Sequence, residues 1–116
     1  MTAATAMAAM TTKTINIAAE FYPHPGVRYQ ADGPGSGEEF REKFLLPALR
    51  DYQFVIVDLT GATGFGSSFL DEGFAGLIKY KSFALDELKK RLQFSPHNSV
   101  YAAEAWGYMQ DESRRS

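Results

Sequence analysis

The spacing of apolar side chains predicts about four strands in this chain. Thr14–Ile17 alternates polar and apolar residues, which is typical of a half-buried strand. In Phe54–Asp58 four apolar residues follow one another without alternation, which predicts an interior strand covered on both faces. Leu92–Phe94 has the length of a short edge strand. A further short strand is predicted around Val27–Tyr29, inside a segment rich in Pro and Gly.

Helical spacing and capping residues predict about four helices between and after these strands. Ser36 opens a capping box that begins the first helix, and Pro47 predicts that this helix kinks or ends nearby. Ser67–Ser68 begins the second helix, which has acidic residues in its first turn. Ser82 caps a short third helix, and Ser95–Pro96 begins the last one.

Two glycines inside the second helix predict a close contact with a neighbouring element. Gly73 and Gly76 each cost roughly 1 kcal/mol relative to Ala in a helix interior. Such a cost is offset where the backbone of a neighbouring element, either the sheet or another helix, approaches the glycine closely. We therefore expect both residues to face a packed neighbour.

The order of the elements, with helices between strands, predicts one α/β domain. We expect a small mixed sheet of about four strands backed by about four helices. Residues 1–12 contain only Met, Ala and Thr and are interpreted as a disordered or low-complexity tail. Residues 13–111 are expected to form the domain, and residues 112–116 a charged C-terminal tail.

The composition narrows the classes of function. The 116 residues are 45% hydrophobic and 22% charged, which is typical of one soluble globular domain. The net charge of −2 does not favour nucleic-acid binding, and no apolar run is long enough to cross a bilayer. The absence of cysteine excludes disulfides, thiol nucleophiles and cysteine-based metal sites. We expect a cytoplasmic protein that binds neither nucleic acid nor membrane.

The Gly-rich turn after the interior strand carries the most chemistry. Residues 61–68, GATGFGSS, have the spacing of a phosphate-binding loop, but Ser67 stands where such loops have lysine. The dinucleotide-binding fingerprint fails as well, because Phe69 occupies the position of its third glycine. Two interpretations stay open: a tight strand-to-helix connection with Ser67 or Ser68 as N-cap, or a cradle for an anion or nucleotide.

The two histidines do not predict a catalytic or metal site. His24 and His97 are isolated in the sequence and have no carboxylate or histidine partner at ligand spacing. A Ser-His-Asp hydrolase is disfavoured because the loop lacks the nucleophile-elbow pattern. We therefore expect no metal, no cofactor and no enzymatic activity.

Residues 55–78, VIVDLTGATGFGSSFLDEGFAGLI, resemble the STAS superfamily of sulfate-transporter and anti-sigma-factor-antagonist domains. In that superfamily a central strand ends in Asp, and a short loop leads into a Ser-Ser helix start. The chain is more similar still to a bacterial STAS-like domain family of unknown function. Three segments carry this similarity: Pro25–Tyr29, Gly33–Arg41 and Gly66–Glu72. Matching segments extend from about residue 14 to about residue 110.

The resemblance implies a small mixed sheet backed by helices, with the Ser-Ser helix start exposed at one end. In anti-sigma-factor antagonists the first serine of the pair is phosphorylated by a partner ATPase of the histidine-kinase-like fold, and the phosphoryl group weakens the complex. Ser67 matches that serine, and Ser68 follows it. Gly66 and Phe69 depart from the antagonist pattern, which has Asp and Gly at these positions.

We therefore expect a non-enzymatic, regulatory protein-interaction domain whose switch is the Ser67–Ser68 helix start. A phosphate on Ser67 should be tolerated by the free protein, because a helix N-terminus favours negative charge. The alternative is a small anion- or nucleotide-binding domain that uses the Gly-rich loop 61–68. The residues expected to contact a ligand or a protein partner are Asp58, Gly61, Gly64, Gly66 and Arg28.

Overall fold

The computed structural model describes residues 11–115 and places three parallel strands side by side. The strands are β1 (Thr12–Asn16), β2 (Phe54–Asp58) and β3 (Leu92–Ser95). Their order is β1-β2-β3, so β2 is the interior strand and the other two are edges. This confirms the predicted interior strand and the predicted edge strand.

Helices connect and follow the strands, and two of them contain a wider, π-helical turn. The first helix, α1, consists of Gly37–Phe40, the π-helical turn Arg41–Leu45 and Leu46–Asp51. The second helix, α2, consists of Ser67–Leu70, the π-helical turn Asp71–Ala75 and Gly76–Lys81. The remaining two are α3 (Leu85–Arg91) and α4 (Val100–Arg115). A π-helical turn at Ile17–Phe21 and a 3-10 turn at Gln30–Asp32 lie in the connection from β1 to α1.

The sheet differs from the expected mixed sheet of about four strands. The described residues contain three strands, and all of them run parallel. Val27–Tyr29 is not a strand, because its carbonyl groups bind the start of α1 instead. The amide of Gly37 donates to the carbonyl of Val27 at 2.9 Å, and the amide of Glu38 donates to the carbonyl of Arg28 at 3.0 Å.

The ends of the ordered region also differ from the expected boundaries. β1 begins at Thr12, inside the predicted N-terminal tail, whose residues 1–10 lie outside the described residues. α4 continues to Arg115, so residues 112–115 are helical and do not form a separate tail. Ion pairs from Arg114 to Asp111 and from Arg115 to Glu112 stabilise this charged helix end, and the basic residues there suit its dipole.

Pro47 does not end α1, which continues to Asp51. The helix instead widens just before the proline. The amide of Leu46 donates to the carbonyl of Arg41, five residues back, at the end of the π-helical turn. Such a turn is a common way to insert an irregularity into a helix without breaking it.

The helices cover one face of the sheet and leave the other open. The covered face consists of the buried side chains of Ile15, Val55, Val57, Leu92 and Phe94. On the opposite face Phe54 is 43% exposed and Ile56 is only half-buried. The expectation that both faces of β2 are covered is therefore wrong. The apolar run of β2 predicts burial, but it does not say which face a helix will reach.

A cluster of phenylalanine rings holds α1, α2 and the sheet together. The fully buried rings of Phe40 and Phe69 lie 5.7 Å apart, and those of Phe40 and Phe74 lie 6.0 Å apart. Phe74 continues the cluster to Phe94 of β3, at 5.0 Å. These aromatic contacts make the face of α2 that contains Phe74 the centre of the core.

Glycines allow α1 and α2 to cross closely. A Cβ atom on Gly37 would collide with the carbonyl oxygen of Phe69 and lie 2.8 Å from the nitrogen of Gly73. A Cβ atom on Gly73 would lie 3.5 Å from the carbonyl oxygen of Gly37, and one on Gly76 would collide with the guanidinium of Arg41. This confirms the prediction that Gly73 and Gly76 face packed neighbours.

Within residues 11–115, no helix combines the length and the apolar character that a membrane-spanning segment needs.

We predict that Gly37→Ala lowers the free energy of unfolding by roughly 1–3 kcal/mol, because the new methyl group meets backbone that cannot move aside cheaply. Gly107→Ala is the matched control, since Gly107 lies inside α4 and its Cβ position meets no atom within 4 Å beyond its chain neighbours and the backbone of its own helix. That variant should gain up to about 1 kcal/mol through helix propensity alone. Urea unfolding measures both values. Equal effects of the two substitutions would contradict the close crossing.

Candidate functional site

Ser67 is the first residue of α2 and is exposed to solvent. Gly66 occupies the N-cap position, so neither Ser67 nor Ser68 caps the helix, contrary to the simpler interpretation of the loop. Ser68 is half-buried. The exposed helix start that the STAS resemblance implies is thus present, with its first serine at the surface.

The hydroxyl of Ser67 lies beside a tyrosine and a carboxylate of α4. The hydroxyl of Tyr108 donates to the carboxylate of Glu104 at 2.7 Å. This hydrogen bond, together with partial burial, raises the pKa of Tyr108, and the nearby Ser67 side chain opposes the rise to a smaller extent. The carboxylate of Asp71, four residues after Ser67 on α2, adds to the rise. Ser67 therefore faces an acidic neighbourhood.

Arg28 contacts α2 one turn further along and not the Gly-rich loop. Its guanidinium donates to the carboxylate of Asp71 at 3.1 Å and lies 3.5 Å from that of Glu72. Partial burial opposes the charge of Arg28, but these carboxylates outweigh it and raise its pKa. Arg28 thus neutralises part of the acidic character next to Ser67.

A buried ion pair lies beneath this surface. Arg41 donates to the carboxylate of Glu72 at 2.8 Å, and the two side chains are only 5% and 4% exposed. Arg41 also donates to the backbone carbonyl of Glu72 and to the carboxylate of Glu42. Burial opposes the charge of Arg41, yet the hydrogen bonds raise its pKa. Its guanidinium fits here because Gly76 has no side chain.

Sequence reasoning placed Arg41 and Glu72 in the segments shared with the STAS-like family but did not pair them. The signal was present in Gly76, one helical turn after Glu72, since a glycine in a helix interior predicts a large neighbour. The identity of that neighbour, Arg41, follows from the way α1 crosses α2.

Asp58 is the last residue of β2, and hydrogen bonds within the protein occupy its carboxylate. It accepts from the side chain of Asn16 at 3.0 Å and from the amide and hydroxyl of Thr60 at 3.0 and 2.8 Å. These bonds, first the one from Asn16, lower the pKa of Asp58. The carboxylate therefore fixes the turn after β2.

The glycines of the loop serve its shape. Gly61 and Gly64 have φ angles of 89° and 145°, in the region that favours glycine. A Cβ atom on Gly66 would collide with the carbonyl oxygen of Gly26, so this glycine permits a close contact with the preceding loop.

The amides of the loop are partly engaged, which limits its use as a cradle. The amide of Thr63 donates to the carbonyl of Pro23 at 3.2 Å, and the amide of Gly66 donates to the carbonyl of Pro25 at 3.0 Å. A phosphate-binding loop needs such amides free and convergent. The geometry therefore does not favour the anion or nucleotide cradle, although it brings Asp58, Gly61, Gly64 and Gly66 into one loop region.

One of the two histidines contacts the Gly-rich loop, and neither makes a hydrogen bond to Ser67 or Ser68 among those that the described residues show. His24 makes a hydrogen bond of 3.0 Å to the hydroxyl of Thr63, and His97 lies exposed after β3. Among residues 11–115, no group of three or more His, Cys, Asp or Glu side chains is placed to hold a metal ion.

We predict that Arg41→Met lowers the free energy of unfolding by about 3–5 kcal/mol, because Glu72 then stays buried without its closest cation. The double variant Arg41→Met/Glu72→Met should recover most of this loss. Lys43→Met is the control, since it removes the exposed pair with Glu39 and should cost less than about 1 kcal/mol. Denaturant unfolding measures all three. A double variant as unstable as Arg41→Met would contradict the account.

A second prediction concerns pH. Asn16→Ala should lower the free energy of unfolding by roughly 1–2 kcal/mol at neutral pH. The pKa of Asp58 is lower in the folded state than in the unfolded state. The contribution of its carboxylate to the free energy of unfolding is therefore fully present above the unfolded pKa of about 3.9, and it is lost as the pH falls through the folded-state pKa. The difference between wild type and variant should therefore narrow below a pH of about 3.9 in denaturant unfolding. A difference independent of pH would show that Asn16 acts only through its bonds to Ala19 and Thr60.

Comparison with known proteins bears on the same residues. Residues 36–101 match the model of the STAS-like domain of unknown function (DUF4325). The matched segment contains Arg41, Ser67 and Glu72, whereas Arg28 and Tyr108 lie outside it. No curated protein and no solved structure matches the chain. Since the match covers more than half of its residues, the chain belongs to the family of STAS-like domains of unknown function.

Proposed function

We propose that this chain is a non-enzymatic regulatory protein-interaction domain in which Ser67 controls the binding of a protein partner. The observation that carries the proposal is the exposed hydroxyl of Ser67 at the start of α2, beside Tyr108 and its hydrogen-bonded carboxylate Glu104. A serine in this position is open to a kinase and to a docking partner. The STAS resemblance suggests a histidine-kinase-like ATPase as that partner, and the composition of the chain suggests the cytoplasm as the place of action.

A phosphate on Ser67 would act on two helices at once. It would add about −1.5 to −2 charges at the N-terminus of α2, where the dipole contributes roughly 0.3–1 kcal/mol in its favour. On α4 it would meet the carboxylate of Glu104, and on α2 that of Asp71, with Arg28 as the nearby cation. From the sequence we expected the free protein to tolerate a phosphate on Ser67. The carboxylates of Glu104 and Asp71 have the same sign as the phosphate, so they oppose the stabilisation by the helix dipole.

The consequence for a partner follows from the same charges. An unmodified Ser67 presents a neutral hydroxyl over a surface on which Arg28 partly balances the carboxylates. Phosphorylation would make this surface strongly acidic. A partner that buries the start of α2 would then have to desolvate the phosphate, which is costly unless the partner brings an arginine.

The two departures from the antagonist pattern have packing reasons. Gly66 cannot be replaced by Asp here without a collision with Gly26. Phe69 is fully buried, with its ring 5.7 Å from that of Phe40 and 6.0 Å from that of Phe65. Both substitutions leave Ser67 exposed, so they alter what a kinase would recognise around the serine without removing the serine from the surface.

The experiment compares wild type, Ser67→Ala and Ser67→Asp as immobilised baits in a lysate of the source organism, with quantitative mass spectrometry of the captured proteins. We predict a protein that wild type and Ser67→Ala retain and that Ser67→Asp loses by at least about tenfold, the equivalent of 1.4 kcal/mol. Ala103→Asp, an exposed position on the other flank of α4, is the control for added charge and should retain it. Ser68→Asp tests which serine matters.

Stability measurements separate a lost partner from a lost fold. Ser67→Asp should unfold cooperatively, and Glu104→Gln should stabilise it more than it stabilises wild type, with a coupling of about 0.5 kcal/mol or more. Capture of the same proteins by wild type, Ser67→Ala and Ser67→Asp, with all three folded, would reject Ser67 as the control point.

A further inference from the structure

The two edges of the sheet are protected to different degrees. Beside β1, the outward amide of Asn16 donates to the carboxylate of Glu20 at 2.8 Å. Lys13 and Lys43 lie beside Glu20 in the lining of a groove next to β1. Charged side chains at an edge strand are a common protection against pairing with another chain. The β1 edge is therefore guarded.

The part of the chain that the structure describes gives the β3 edge no such protection. The amide of Leu59 donates to the carbonyl of Ser95 at 2.8 Å, so the backbone groups of Ser95 face β2. Because these directions alternate along a parallel strand, the amide and carbonyl of Phe94 and the carbonyl of Leu92 face outward. None of the four residues of β3, Leu92–Ser95, is charged.

A groove of about 520 Å³ follows this edge. The side chain of Trp106 forms one wall and packs edge-on against Phe94, at 5.8 Å between ring centroids. Gln93 and Ser95 are exposed, and Ile56 continues the groove onto the open face of the sheet. This groove, the β3 groove, has no Asp, Glu, Lys or Arg in its lining, and His97 is its one titratable side chain.

Arg91, the residue directly before β3, is engaged with backbone on the side of β2. Its guanidinium donates to the backbone carbonyls of Gln53, Leu49 and Tyr52, and it pairs with Glu87 at 2.8 Å. The edge is thus uncharged along the strand itself.

We propose that β3 is a contact between two copies of this chain, in which it pairs antiparallel with β3 of a second copy around a two-fold axis. A two-fold axis brings each side chain close to its own counterpart, so charges near the axis would repel one another. The β3 groove meets this condition and the β1 edge does not. The outward amide and carbonyl of Phe94 would pair with the carbonyl and amide of Phe94 in the other copy.

The pairing would join two three-stranded sheets into one of six strands and would cover Trp106. Pro96, which has no amide hydrogen, limits the pairing to the length of β3. Four-residue strands bury little area, so the interface lies at the small end of specific complexes, and we expect a dimer that dissociates in the micromolar range.

The experiment uses the full chain and two independent readouts. Sedimentation equilibrium from about 1 to about 500 μM should show a mass rising from 12.9 kDa towards twice that value. Trp106 is the one tryptophan of the chain, so its fluorescence reports on the groove without labelling. Its emission should shift to shorter wavelength over the same concentrations.

Variants locate the contact. In the antiparallel arrangement Gln93 lies opposite Ser95 of the other copy, so Gln93→Lys/Ser95→Lys places lysines opposite one another and should give a monomer at every concentration. Both side chains are exposed, and the variant should therefore keep the melting temperature of wild type within a few degrees. Thr12→Lys/Thr14→Lys, at exposed positions of β1, is the matched control and should still dimerise.

Three results would overturn the proposal. The first is a wild-type chain that stays monomeric up to the highest concentration. The second is a dimer that survives Gln93→Lys/Ser95→Lys, and the third is association without any change in Trp106 emission. None of these results depends on Ser67, so the outcome is separate from that of the proposed switch.

Discussion

The crossing of α1 over α2 at Gly37 and Gly73 is the contact on which the rest of the structure depends. The two backbones approach so closely that a Cβ atom on Gly37 would meet the carbonyl oxygen of Phe69. At this distance Arg41 of α1 reaches Glu72 of α2, and Gly76 leaves the space that its guanidinium needs. A buried pair of this kind is tolerable only with good geometry and additional hydrogen bonds, and the crossing supplies both.

The ion pair also links the core to the surface around Ser67. Arg28 forms ion pairs with both Glu72 and Asp71. Asp71 in turn lies one helical turn after Ser67 on α2. The π-helical turns inside α1 and α2 begin at this network, one at Arg41 and the other at Asp71. Turns of this type occur often at functional positions, because they change the direction of side chains without ending the helix.

The domain has an open sheet face and two further accessible regions, one around Ser67 and one beside β3. Parallel sheets are usually covered on both faces, whereas here Phe54 and Ile56 stay accessible. The surface around Ser67 is formed by Ser67 of α2 and Tyr108 of α4. The β3 groove lies on the other flank of α4, beside Trp106. The two surfaces are therefore separate, so a second copy and a regulatory partner would not compete for the same residues.

By itself the sequence determined the features that depend on neighbours a few residues apart. The unbroken apolar run of Phe54–Asp58 identified the interior strand, and Ser36 identified the start of α1, where its hydroxyl accepts from the amide of Glu39 at 3.0 Å. The glycines at 73 and 76 predicted close packing because glycine is costly in a helix unless a neighbour needs the space. The exposed start of α2 was implied instead by the resemblance to STAS domains, and Ser67, its first residue, is exposed.

The tertiary structure alone decided how distant segments meet. The pairing of Arg41 with Glu72 joins residues 31 positions apart, and Tyr108 reaches Ser67 from the last helix. The carbonyl groups of Val27 and Arg28 bind the start of α1, although their side chains suggested a strand. In each case the local pattern is compatible with several partners, and the choice among them depends on where the helices pack. That packing follows from the shape of the whole core, which no short stretch of sequence specifies.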